Sequence, residues 1–119
     1  MDTELAWAAG FIDGEGSFGI QRQKGKKDIA YLQAGQTDRE VLDRLQATIA
    51  DGKVYGPYTP RRKNDQPYYY YRLTGNKSVE EAGLKIYPWL SSRKKEQYGR
   101  AIRQLATEPV LKTVEVNSP

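Results

Sequence analysis

The segment Ala8–Gly16, AAGFIDGEG, constrains this chain more than any other, because nine positions combine small residues, two acids and three glycines. An ordinary core helix avoids that mixture. Glycine within a helix costs about 0.5–1 kcal/mol relative to alanine, so Gly10 calls for a compensating close approach of another backbone. At helical spacing Leu5, Ala9 and Ile12 form an apolar stripe, and Ala6, Gly10 and Asp13 form a second stripe of small side chains beside it. The first can fill a core and the second can touch another helix. Gly14, Glu15 and Gly16 then end the helix, leaving the Glu15 carboxylate beside exposed carbonyls, where the helix dipole disfavours an anion. A bound divalent cation would remove that conflict.

The segment, followed by Ser17 and Phe18, resembles the signature motif of the LAGLIDADG homing endonucleases, with Ala8 in place of the first motif leucine. The resemblance implies that Glu15 binds the catalytic metal, helped by the Gly14 carbonyl, and that two copies of the motif helix pack at the centre of a saddle-shaped DNA-binding protein. It places Ala6, Ala9, Gly10 and Asp13 at that helix contact, Asp13 in a structural part rather than as a ligand.

The rest of the chain supplies the expected context. Residues 17–24 and 29–35 read as strands of a hairpin with a basic tip, Lys24, Lys26 and Lys27. Residues 37–52 read as a helix with Thr37 or Asp38 as cap, apolar spacing at Val41, Leu42, Leu45 and Ile49, and Gly52 past its end. A second hairpin is expected over 53–59 and 67–75. Ser78 with two acids opens a helix over 78–90 that Pro88 ends, and a Ser-capped helix with Tyr98, Ile102 and Leu105 follows over 91–108. The expected class is α+β, an αββαββα homing-endonuclease domain with an antiparallel DNA-binding sheet, then a C-terminal helix and a tail over 108–119.

At 119 residues the chain holds one such unit and one signature helix, so a complete saddle is expected to need a homodimer. With 38% hydrophobic and 29% charged residues it is globular, and no apolar run nears the roughly 20 residues that span a bilayer. The N-terminus MDTEL is unlike a signal peptide, so an intracellular protein without membrane attachment is expected. Neither cysteine nor histidine occurs, which excludes disulfides, cysteine-type zinc clusters and imidazole catalysis.

The net charge of +4 is unevenly distributed: residues 53–77 and residues 85–103 each carry six basic side chains against one acid. That segregation is the footprint of a polyanion-binding surface. A two-hairpin sheet can follow the major groove, where every base pair shows its own donor and acceptor pattern. Candidate contacts to double-stranded DNA are Gln21, Arg22, Gln23, Gln33, Tyr70 and Arg72, with the hairpin lysines and Arg61, Arg62 and Lys63 on the backbone. Alternation along a strand sends two of Tyr68–Tyr71 inward and two outward, which argues against a four-ring stacking platform.

Phosphodiester hydrolysis needs a nucleophilic water, neutralised phosphate charge and a stabilised leaving alkoxide, all within reach of hard oxygen-ligated cations without histidine. The resemblance implies Mg²⁺, with Mn²⁺ also supporting cleavage, Ca²⁺ supporting binding only, and no small-molecule cofactor. It further places Gln36 as the polar residue that positions the water, Arg93 or Lys94 as the basic residue after the third helix, Arg93 favoured, and Arg39 along the site. The expected activity is metal-dependent double-strand cleavage at a long near-palindromic site. The alternatives are an inactive DNA-binding regulator, an RNA-splicing maturase of the same fold, or half of a two-domain enzyme with a different partner chain.

Overall fold

The computed structural model describes residues 2–62 and 65–103. Lys63, Leu105 and the tail over 108–119 lie outside them. Helix α1 (Thr3–Glu15) opens on Asp2, whose carboxylate accepts from the Leu5 N–H at 3.2 Å. It leads into β1 (Gly16–Gln21) and β2 (Ile29–Gln36), then α2 (Arg39–Ile49), β3 (Lys53–Tyr58), β4 (Tyr68–Thr74) and α3 (Asn76–Ile86). A 3₁₀ turn (Tyr87–Trp89) precedes α4 over 92–103. The expected αββαββα order and C-terminal helix are both present. None of the described helices is long and apolar enough to cross a membrane.

The four strands form one antiparallel sheet in the order β1-β2-β4-β3. Alternation sends Phe18, Leu32, Ala34, Tyr71 and Leu73 to the helix-covered face, where they meet Ala8, Ala9, Ile12, Leu42, Leu45, Ile49, Val79 and Ile86. The other face carries Gln21, Tyr31, Gln33, Tyr70 and Arg72 and has no helix over it. One sheet face thus makes the core and the other is left for a partner.

Boundaries depart from expectation where caps were misread. Strand β1 stops at Gln21, because the chain turns at Gln23, whose carbonyl accepts from the Lys26 N–H at 3.1 Å, with Gly25 at φ 73°. Of the two candidate caps of α2, Asp38 holds the position, accepting from Glu40 N–H at 3.0 Å. That helix ends on Ala50 in the left-handed region (φ 64°) rather than on Gly52. Helix α3 begins at Asn76, two residues before Ser78, and has no side-chain cap; Asn76 instead accepts from the Ala30 N–H at 3.0 Å and joins the helix to β2. Gly83 of α3 packs directly against Tyr98 of α4: a Cβ there would lie 2.0 Å from the Tyr98 ring.

Candidate DNA-cleaving site and sheet surface

The site begins where α1 ends. Glu15 is its last residue and is exposed, lining a groove with Trp7, Phe11, Gln36 and Asp38 at the entry to α2. The fold therefore brings Glu15 and Gln36, 21 positions apart in the chain, to one cleft. The Gln36 side-chain Oε1 accepts from Thr37 N–H at 2.9 Å and from the Thr37 hydroxyl at 3.4 Å. Trp7 and Phe11 stack at 5.6 Å, and the Arg44 guanidinium, paired with Glu4 at 2.6 Å, covers the Trp7 ring at 3.8 Å. This wall, which sequence reasoning missed, sets the spacing of α1 and α2; its signal was the i, i+4 aromatic pair beside the motif. Arg39 does not join the cleft: it faces Asp43 at 3.6 Å and lies 5.8 Å from the Tyr69 ring.

The two motif acids have different surroundings. Both Asp13 carboxylate oxygens accept from the Ser91 N–H at 3.1 Å, placing a negative charge at the N-terminus of α4, where the helix dipole favours it. Ser91 caps the same helix, its hydroxyl accepting from Lys94 N–H at 3.2 Å, as the sequence predicts. Glu15, two residues further, has no such engagement among the described hydrogen bonds, and its carboxylate faces solvent. Asp13 is thus bonded within the chain, to the start of α4, whereas the part expected of it was at the contact between two motif helices.

Lys94 and Arg93 likewise divide. Lys94 is buried, 4% exposed, and donates its Nζ to the Gly16 carbonyl at 2.7 Å. Burial holds its pKa below the ordinary lysine value, the neighbouring Arg93 charge adds to that, and Asp13 opposes it. Arg93 is exposed on the same turn. A buried, bonded ammonium anchors the chain beside Glu15; an exposed guanidinium is the one accessible to a phosphate.

On α1, Gly10 and Gly14 are exposed, with no atom from elsewhere among the described residues within 4 Å of where a Cβ would stand, and Ala6 continues their row. The interface assignment of Ala9 is corrected: it is fully buried in the chain's own core between helix and sheet, one helical step round from that row. Among the described residues no three His, Cys, Asp or Glu side chains converge as a metal-holding group.

Of the expected DNA contacts, the strand register places Gln21, Gln33, Tyr70 and Arg72 on the open sheet face, and Gln23, Lys24, Lys26 and Lys27 at the hairpin tip beside it. Arg61 and Arg62 are exposed in the β3–β4 loop. Arg22 is corrected: one residue past Gln21 it falls on the opposite side, in a groove with Gln97 and Arg100. Tyr68–Tyr71 alternate as predicted, Tyr71 being buried with its hydroxyl donating to the Asp51 carbonyl at 2.8 Å. The outward Tyr68 and Tyr70 join Tyr58 in an aromatic cluster with centroids 5.3–5.6 Å apart. Tyr31, Tyr55 and Tyr58 share the open face and were missed: Tyr31 lies two residues from Gln33 on β2, which was an available signal, whereas Tyr55 and Tyr58 reach one face through the register shift between them.

A family profile described as LAGLIDADG endonuclease matches residues 8–101. No curated protein matches the sequence. Among solved structures the fold is similar to the homing endonuclease I-CvuI in complex with DNA in the presence of 2 mM Mg, the DNA not cleaved, with a TM-score of 0.70 and 23% identity over 90% of this chain and 68% of that one. It is also similar to the homing endonuclease I-TnaI, at 0.67 and 24% over 92% and 76%. A third, the LAGLIDADG meganuclease I-AabMI bound to uncleaved DNA, gives 0.67 and 21% over 96% of this chain but 40% of its own length. At these identities the likeness is one of fold.

Proposed function

Because the chain belongs to the LAGLIDADG endonuclease family, we propose that it is a sequence-specific endonuclease that acts as a homodimer, cutting both strands of a long, near-palindromic DNA duplex by divalent-metal-dependent phosphodiester hydrolysis. One observation carries this reading: the exposed Glu15 carboxylate stands at the end of the helix on which Gly10 and Gly14, in one row with the half-buried Ala6, have nothing from elsewhere among the described residues packed over them. Packing two copies of that row against each other would bring two Glu15 side chains to one axis. The absence of a three-acid cluster among the described residues of one chain supports a site shared by two. So does the match to I-AabMI, which is more than twice as long as the segment it shares with this chain.

The donor set suits Mg²⁺: carboxylate and carbonyl oxygens from Glu15 and Gly14, without nitrogen or sulfur. Mn²⁺ fits the same oxygens, and Ca²⁺ is expected to support binding alone. When bound, such ions would polarise the scissile phosphate and lower the pKa of a water. The chain's own residues do the rest. Gln36, in the same cleft as Glu15, is placed to orient a water through its carboxamide. Arg93 offers a positive charge to the phosphate, and a guanidinium does not surrender its proton in a protein, so it acts as a charge stabiliser rather than a proton donor. Lys94 is a positioning residue, holding Gly16 and so the end of α1. The open sheet face lies along the duplex, with Arg61, Arg62 and the hairpin lysines on its phosphates.

The test is selection from a randomised duplex pool, scoring cleaved molecules in Mg²⁺ and bound molecules in Ca²⁺. The expected result is one enriched, roughly palindromic sequence in both arms. Enrichment of bound but never of cleaved duplexes would leave a DNA-binding protein and overturn the endonuclease reading.

A further inference from the structure

On the open face, three strands contribute to one polar group. Gln33 and Arg72 are direct partners across β2 and β4, and Gln21 stands at the end of β1. The Arg72 guanidinium donates from Nη1 to the Gln33 side-chain oxygen and from Nη2 to the Gln21 side-chain oxygen. It also lies 5.0 Å from the centroid of the Tyr31 ring. That ring in turn lies across Gly19, where a Cβ would stand 2.5 Å from the Tyr31 hydroxyl. An arginine so held has given up much of its rotamer freedom before any ligand arrives, which lowers the ordering cost of binding.

The hydrogen-bonding character of the group is one-sided. Of five guanidinium N–H donors two are used, leaving three. Each glutamine turns its acceptor oxygen to Arg72 and so presents its amino group, a donor, on the far side. The surface offered outward is therefore rich in donors and has its acceptors engaged. In the major groove guanine is the base whose edge shows two acceptors, N7 and O6, with neither donor nor methyl; adenine and cytosine each present an amino donor, and thymine a single acceptor and a methyl. From this geometry we infer that the Gln21–Gln33–Arg72 group reads a guanine at one position of each half-site, with Arg72 as the specificity-determining residue.

The inference rests on the proposed DNA-binding function, and one experiment separates the two. Binding selections in Ca²⁺ are run on the wild type, Arg72→Ala and Arg72→Gln, with circular dichroism confirming the fold of each. The wild type should enrich guanine at one symmetric pair of positions, by roughly 5- to 150-fold over the other bases. Arg72→Ala should abolish that preference there and leave the remaining positions unchanged. Arg72→Gln, with donor and acceptor on one carboxamide, should move the preference to adenine. If Arg72→Ala leaves every position unchanged, or weakens all sequences equally as a phosphate contact would, the inference fails while the DNA-binding reading stands. A wild type that enriches no sequence overturns both.

Discussion

The Nζ of Lys94 lies 2.7 Å from the carbonyl oxygen of Gly16, joining the first turn of α4 to the residue that follows Glu15. From the other direction Asp13 reaches the Ser91 N–H at the start of the same helix. The cleft end of α1 is thereby held on both sides by one helix terminus, although nearly 80 residues separate these partners in the sequence. In the proposed function Glu15 would gain from such support, because the geometry of a metal ligand is set by the shell behind it.

Removing the Lys94 side chain should therefore loosen the end of α1. Lys94→Ala leaves a buried carbonyl without its donor, for which a loss of about 1–3 kcal/mol is expected. Urea unfolding monitored by circular dichroism measures it. A midpoint equal to that of the wild type would mean that the buried contact contributes nothing.

Gly10→Leu tests the assembly cleanly, because among the described residues no atom from elsewhere in the fold lies within 4 Å of a Cβ at that position. The chain itself should fold as well as before, with helix propensity improved by about 0.5–1 kcal/mol. Two copies packed through this row would be forced apart. Sedimentation should report a folded monomer that no longer cuts DNA; a fully active dimer would place the interface elsewhere.

Glu15→Gln preserves shape and hydrogen bonding but removes the anionic ligand. Strand scission in Mg²⁺ should fall to background, while binding to the same duplex with metal chelated should be unchanged or tighter, since two uncompensated carboxylates no longer face phosphates. Substantial cutting by the purified variant would remove Glu15 from the metal site.

Alkaline pH should destabilise the fold through its buried tyrosines. Burial, then the charge of Glu80 and the neighbouring Tyr87, pushes Tyr98 up to about 12, and burial with the charge of Asp51 raises Tyr71 further. A raised folded-state pKa means that the contribution is complete below the unfolded value near 10 and is lost as pH climbs through the folded value. Lys94 acts in the opposite sense, since its lowered pKa makes folding easier as it deprotonates. The tyrosine shifts are the larger, so the urea midpoint should decline between about pH 10 and 12, and less steeply in Tyr98→Phe. A flat profile, or one unaltered by that substitution, would contradict the assignment.

The helix and strand order was legible because each element carries a local signal: period-two apolar residues in 29–36, helical spacing in 39–49, a serine ahead of α4. The motif acids were legible for the same reason, since a carboxylate set between two glycines at a helix end, as Glu15 is, is unusual in itself. Caps were less so. Ala50 adopts the left-handed region that glycine usually takes, and α3 starts without a side-chain cap, because tertiary packing outweighs a propensity difference of at most about 1 kcal/mol. Face assignment was harder still: Arg22 differs from Gln21 by one position and so points the other way, and Ala9 belongs to the core although it neighbours an open row. Local chemistry along the chain was enough to name the elements and the acid that ends the first helix. The division of Lys94 from Arg93, of Asp13 from Glu15, and the grouping of Gln21, Gln33 and Arg72 depend on which distant side chains meet, and those meetings exist only after strands have paired in register and a helix has docked on them.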